Sequence, residues 1–121
     1  MRPVPAGATG SYTFKVSPEH LANRFKDPAL PPVLATPVMI MAMENAALNA
    51  VKPYFEPGES AVGTRVDVRH LAATPVGRHV VAFAVHAMDG SEMIGRGTHE
   101  RALIDLARFA ERLAAKFDDR G

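Results

Sequence analysis

Glu44 stands in a stretch of chain that offers a carboxylate almost nothing polar. The stretch runs from Ala35 to Val51, and between Pro37 and Val51 only Glu44, Asn45 and Asn49 carry polar side chains. A helix that is apolar nearly all round is normally buried. Ile40 and Leu48 lie one turn to either side of Glu44, with Met41 and Ala47 three residues away. A carboxylate held there is costly unless it is paired, hydrogen-bonded or protonated. Carboxylates shifted by such surroundings gather at functional sites. The competing reading is a structural Glu satisfied by an arginine or by backbone N–H groups. His70 is the histidine that could work beside it, because it shares a strand face with Val66 and Val68. An imidazole titrates near neutrality and can take or give a proton. A core histidine with one satisfied nitrogen is the alternative. Thr36 stands eight residues before Glu44. There it could hold the carboxylate or merely cap the helix, a role worth about 1 kcal/mol.

Other chemistries find no support. The chain has no cysteine, which removes disulfides, thiolate metal sites and a cysteine nucleophile. Ser11, Ser17, Ser60 and Ser91 sit in turn or edge contexts, and no Gly-x-Ser-x-Gly, phosphate-binding loop or dinucleotide fingerprint is present. The five histidines show no i,i+4 pair, and no calcium-loop spacing occurs, so no metal is expected.

The elements that must position these residues read as follows. Tyr12, Phe14 and Val16 alternate along a half-buried strand. Ser17-Pro18 looks like a helix start. The Pro-rich run Lys26 to Pro32 is a loop. Thr36-Pro37 opens the apolar helix, which Pro53 and Pro57-Gly58 close. From Ser60 to Ala73 the pattern turns β-like, with Thr64, Val66, Val68 and His70 on one face and Arg65, Asp67 and Arg69 on the other. Gly63 in this strand suggests a bulge. Arg78 to Met88 reads as one strand, Asp89-Gly90 as a hairpin turn, and Glu92 to Ile104 as a strand weakened by Gly95 and Gly97. Leu106, Phe109, Leu113 and Phe117 predict a C-terminal helix packed on the sheet. This order predicts a single α+β domain over residues 1–121, a buried helix wrapped by a curved antiparallel sheet.

Composition narrows the function. A chain of 121 residues, 47% hydrophobic with net charge +1, suits one globular domain. It shows no field that favours nucleic acid or an anionic membrane. The longest near-apolar run, Val33 to Met43, is too short for a bilayer, which takes about 20 residues. The N-terminus has no apolar signal region. A soluble cytoplasmic protein is expected.

Taken together, the residues resemble the fluoroacetyl-CoA thioesterase family of hot-dog-fold proteins. The likeness rests on Thr36 and Glu44, on Gly63-Thr64, and on Val68-Arg-His-Leu-Ala-Ala-Thr-Pro75. It rests also on Ile94-Gly-Arg-Gly-Thr-His-Glu-Arg101, and on Pro53-Tyr-Phe-Glu-Pro-Gly-Glu59 after the central helix. The resemblance implies a homodimer that hydrolyses an acyl-CoA thioester, with coenzyme A as part of the substrate and no other cofactor. It implies that Thr36, Glu44 and His70 act together, that the Gly63 backbone N–H positions the thioester carbonyl, and that Arg101 orients the site or reaches the coenzyme A. It also makes the Pro-rich loop a lid. The chemistry is coherent on its own terms. A thioester needs a nucleophile, a proton donor for sulfur and an oxyanion donor. Glu44 could attack or activate water, His70 could move the proton, and Thr36 could hold Glu44.

Two expectations remain. The family has two strands between the Ala-Thr-Pro turn and the Gly-Thr-His-Glu-Arg strand. Only about 20 residues separate Pro75 from Gly97, room for one strand and a turn. A strand is therefore expected to be missing, with an anomaly at Gly77–Arg78. The alternative function is a non-catalytic acyl-CoA-binding or sensing module on the same fold. The catalytic reading expects Glu44 and His70 to face one cavity, with Thr36 beside Glu44.

Overall fold

The structure, a computed structural model, describes residues 1–118. Strand β1 (Ser11–Lys15) leads through a 3-10 turn (Pro18–His20) and the single-turn helix α1 (Ala22–Phe25) to the long helix α2 (Thr36–Val51). Then come a 3-10 turn (Lys52–Tyr54), β2 (Glu59–His70), β3 (His79–Phe83), β4 (His86–Asp89), β5 (Glu92–Asp105) and α3 (Leu106–Asp118). The strands form one antiparallel sheet in the order β1-β3-β4-β5-β2. The sheet curls along α2, the hot-dog arrangement expected.

Local signals place most of these elements. Ser17 forms a cap at Pro18, where its backbone N–H donates to His20 Nδ1 at 3.1 Å. Pro37 lies in the first turn of α2, where a missing N–H costs nothing. Gly10 lets the chain pass α2, since a Cβ there would run into the backbone of Ala46 and Ala50. Gly90 takes φ +58° in the two-residue turn that pairs Asp89 with Glu92, as a tight hairpin requires. The core joins Val38, Met39, Ala42 and Met43 of α2 to Val80 and Ala82 of β3, Ala87 of β4 and Ile94 of β5. The alanines let helix and sheet backbones approach closely.

Three expectations need correction. No strand is missing. Where one strand is expected from Arg78 to Met88, the chain forms two short ones, β3 (His79–Phe83) and β4 (His86–Asp89), turned back on each other at Ala84–Val85, with Ala82 opposite Ala87. The run Val80 to Val85 contains no Gly, Pro, Asn or Asp to mark the break. The turn at Gly77 is an ordinary one, tied by Gly77 N–H to Val16 O at 2.8 Å and Val16 N–H to Arg78 O at 2.8 Å. Second, α2 is buried on one side only. Its other side is open, with Met41 38% exposed. Third, α3 is not packed on the sheet: Leu106, Phe109, Leu113 and Phe117 are 46–63% exposed.

The shortness of β3 and β4 shapes the rest. β2 and β5 pair from Glu59 opposite Asp105 to His70 opposite Gly95, with a register shift between Gly63 and Arg65. β4 covers β5 only from Glu92 to Arg96, and one further bond joins Gly97 N–H to Val85 O at 2.9 Å. Beyond Gly97, β5 has no strand on that side among the described residues.

Candidate active site

Thr36 is the first residue of α2, and Ala35 is its N-cap. The helix start therefore does not use the Thr36 hydroxyl, which lies 2.8 Å from His70 Nδ1. His70 is the last residue of β2, brought to the mouth of α2 because the following chain returns alongside. Leu71 N–H donates to Ile94 O, and Leu34 N–H donates to the carbonyl of fully buried Thr74. His70 Nε2 is buried and has no hydrogen-bond partner among the described residues. Burial pushes the His70 pKa below its ordinary value, and the backbone at Ala72 opposes part of that shift. A cavity of about 390 Å³ opens here, lined by Val33, Thr36, His70, Leu71, Ala72 and Ala73.

The Pro-rich loop stands over this end. Its base is pinned by a bridge between Leu21 and Leu34, by Ala22 N–H to Val33 O and by Ala35 N–H to His20 O. Its tip, Lys26 to Pro32, is exposed throughout.

Glu44 occupies a different place. It is half-buried on the third turn of α2 and lines a cavity of about 250 Å³ with Pro37, Ile40, Met41, Asn45, Leu48 and Arg101. No side chain pairs with its carboxylate among the described residues. Gly63 faces it: a Cβ there would stand 3.1 Å from Glu44 Oε2. Arg101, opposite Gly63 on β5, ties the two elements. Its guanidinium donates to Ala61 O at 2.8 Å and to Glu44 O at 3.4 Å, and its Nε is buried without a partner.

The five expected residues thus form two groups within one chain. Thr36 and His70 meet at the N-terminal end of α2. Glu44, Gly63 and Arg101 meet about two turns further on. Thr36 lies beside His70 and not beside Glu44, because eight residues of helix separate them by about 12 Å. The Thr36–His70 bond was not legible in the sequence, since the cap-plus-Pro pattern accounts for a threonine at that position. Arg101's hold on the Glu44 carbonyl, across 57 residues of chain, left no local signal. Among the described residues no group of His, Asp and Glu could hold a metal ion, and no helix is long and apolar enough to cross a membrane.

Comparison with known proteins places the chain in a family. Residues 16–107 match the family described as fluoroacetyl-CoA-specific thioesterase. The fluoroacetyl-CoA thioesterase of Streptantibioticus cattleyicolor is 38% identical over 126 positions, which cover 93% of this chain and 86% of that protein. The alignment is longer than the part of this chain it engages, so the relative holds residues with no counterpart here. A crystal structure of a point mutant of the fluoroacetyl-CoA-specific thioesterase FlK superposes with TM-score 0.85 at 34% identity, covering 96% of this chain and 99% of that one. Other structures of FlK carry substitutions at a threonine, with fluoroacetate or acetyl-CoA bound. A thioesterase superfamily member from Thermus thermophilus superposes with TM-score 0.81 at 28% identity, covering 99% of this chain and 97% of that one. On fold and sequence together, the chain belongs to the fluoroacetyl-CoA-specific thioesterase family of hot-dog thioester hydrolases.

Proposed function

We propose that this protein hydrolyses an acyl-CoA thioester to a free acid and coenzyme A, with Thr36, Glu44 and His70 as catalytic groups and Gly63 and Arg101 as substrate-binding groups. The observation that carries the reading is the 2.8 Å bond between Thr36 Oγ1 and His70 Nδ1 at the wall of a cavity. With the hydrogen on Nδ1 and donated to Thr36, Nε2 presents an open lone pair. Burial favours the neutral imidazole, so the ring is ready to accept a proton near neutral pH. Water adds to the thioester carbonyl carbon and the C–S bond breaks. One water proton passes through Nε2 to the sulfur, and the second is lost from the carboxylic acid.

Glu44 either takes the proton of the attacking water and hands it on to Nε2, or attacks the carbonyl itself and expels the thiolate, forming an anhydride. The water that then opens the anhydride supplies the thiolate's proton by way of Nε2. A single turnover in ¹⁸O-water separates the two. Label in the Glu44 side chain marks attack by the carboxylate with the anhydride opened at Glu44, and capture of an acyl group from Glu44 by hydroxylamine detects an anhydride opened at the acyl carbon. Label in the acid alone with nothing captured marks water activation. Arg101 clamps the Glu44 backbone to β2, and the absence of a side chain at Gly63 leaves room for the carboxylate.

The reading includes a homodimer in the cytoplasm. β2 is an edge strand of twelve residues whose own Val62 and Val66 are 37–39% exposed, as is Met41 on the open side of α2. A long bare edge with apolar flanks calls for a covering partner. A second copy on this edge supplies a way for the Thr36–His70 group of one subunit to meet the Glu44 group of the other.

The test is release of free coenzyme A from a panel of acyl-CoA thioesters that includes fluoroacetyl-CoA. Turnover that disappears in Glu44→Gln while acyl-CoA binding persists supports the reading. Binding without turnover in the wild type would establish a non-catalytic module instead.

A further inference from the structure

The outer face of the β2–β5 ribbon, away from α2, carries two cross-strand pairs of opposite character. Arg65 lies opposite Glu100, and their charged groups approach to 3.8 Å. Four residues along the same face, Arg69 lies opposite Arg96. Neither is ion-paired among the described residues. On the other side of β5, His86 lies opposite Arg96, its ring stacked on Phe83 with centroids 4.6 Å apart. Directly opposed residues share a face, so His86, Arg96 and Arg69 form a row across three strands. Like charges set directly opposite each other destabilise a sheet. A cavity of about 190 Å³ opens at this pair, lined by Asp67, Arg69, Arg96, Gly97 and Thr98.

A guanidinium offers a planar fork of donors that fits a phosphate with two parallel hydrogen bonds. Two such forks at one cavity, without a carboxylate bonded to either, match a dianion. Thr98 adds a hydroxyl donor. Asp67, the one acid in the lining, pairs with neither arginine and can accept from a hydroxyl beside the phosphate. We propose that Arg69 and Arg96, with Thr98, form a binding site for a phosphate group on the outer face of the sheet.

Two sources carry that chemistry. One is the phosphorylated nucleotide end of acyl-CoA. Arg69 immediately precedes His70, whose imidazole serves the opposite face at the end of β2, so a long substrate rounding that end would meet both. This source rests on the thioesterase reading. The other is a separate small phosphorylated compound.

Titration of inorganic phosphate and of pyrophosphate into the full chain, followed by ³¹P NMR, decides whether the site exists. Saturable binding is expected, weakened about tenfold or more by Arg69→Gln or Arg96→Gln. Arg65→Gln on the same face should leave it unchanged. Arg96→Lys, which keeps the charge but loses the fork, should fall between. The absence of saturable binding, or an equal loss in Arg65→Gln, overturns the site. Circular dichroism of each variant checks the fold. Kinetics then separate the sources. A KM raised by Arg96→Gln for acyl-CoA but not for the matching acyl-pantetheine assigns the site to the substrate's phosphates. Lost phosphate binding with both KM values unchanged assigns it to a separate ligand. A wild type that hydrolyses neither thioester refutes the thioesterase reading, while the phosphate titration still decides this one.

Discussion

The two ends of the sheet are built differently. At the β1–β3–β4 end, Val80, Ala82 and Ala87 are fully buried in one cluster with Val38, Met39, Ala42 and Met43 of α2, and Tyr12 and Phe14 pack against it. At the β5–β2 end the strands are more than twice as long, yet Val62, Val66 and Leu103 are 37–48% exposed. The packed end lets α2 hold its position. The ribbon end carries Gly63, His70 and Arg101, and it meets α2 at separate points: Thr36 against His70, Met39 against Gly95, and Glu44 against Gly63. Buried packing and candidate-site residues are therefore concentrated in different strands of one sheet, joined through a single helix.

That division can be broken most sharply at Glu44. Glu44→Gln keeps the shape of the side chain and removes its charge, so kcat should fall about 10²–10⁴-fold with an unchanged denaturation midpoint. Steady-state kinetics beside urea unfolding measures both, and a kcat equal to wild type would remove Glu44 from the mechanism. Met39→Ala makes the opposite cut. Met39 is fully buried, its sulfur sits where a Cβ on Gly95 would lie, and its truncation should cost about 2–5 kcal/mol. Val66→Ala, at the ribbon end, should cost less than about 1 kcal/mol in the same experiment. Equal losses would mean that the ends are not distinct.

A smaller effect is expected at Thr36. Thr36→Val removes the hydroxyl from His70 and should lower kcat/KM about tenfold while changing stability by about 1 kcal/mol or less, because the helix start does not use that hydroxyl. A loss of stability without a loss of rate would return Thr36 to a purely structural role. The pH profile is finer still. Burial holds the His70 pKa below its ordinary 6.5, so the acid limb of kcat/KM should lie below that value. The sign for stability follows from the same shift. On acidification the unfolded chain takes the proton first, so His70 removes stability as the pH falls below 6.5 and contributes no pH dependence well above it. An acid limb above 6.5 would contradict a buried neutral base.

Most of this architecture was legible where the chain alternates or punctuates. Tyr12, Phe14 and Val16 marked β1, the Asp89-Gly90 turn marked its hairpin, and Gly63 marked the register shift in β2. The β3–β4 turn was not legible, because Ala84 and Val85 bend inside an apolar run that periodicity reads as one strand. The open side of α2 was hidden for a related reason: composition cannot tell a buried methionine such as Met43 from an exposed one such as Met41. Thr36, Glu44, Gly63, His70 and Arg101 were legible as candidates, the last of them through a family resemblance. Their division into two groups was not, since it depends on which strand ends lie over which turn of the helix.

The short β4 has a consequence for the motions of the backbone. Gly97 sends its N–H toward Val85, and in an antiparallel strand successive residues alternate sides. The amides of Thr98, Glu100 and Ala102 therefore face β2, while those of His99, Arg101 and Leu103 face the side that β4 does not reach. Amide hydrogen exchange along this one strand should alternate residue by residue between slow and fast. β5 would thus carry a protected rail and an unprotected one, and any molecule that settles on the open side will announce itself by slowing every second amide.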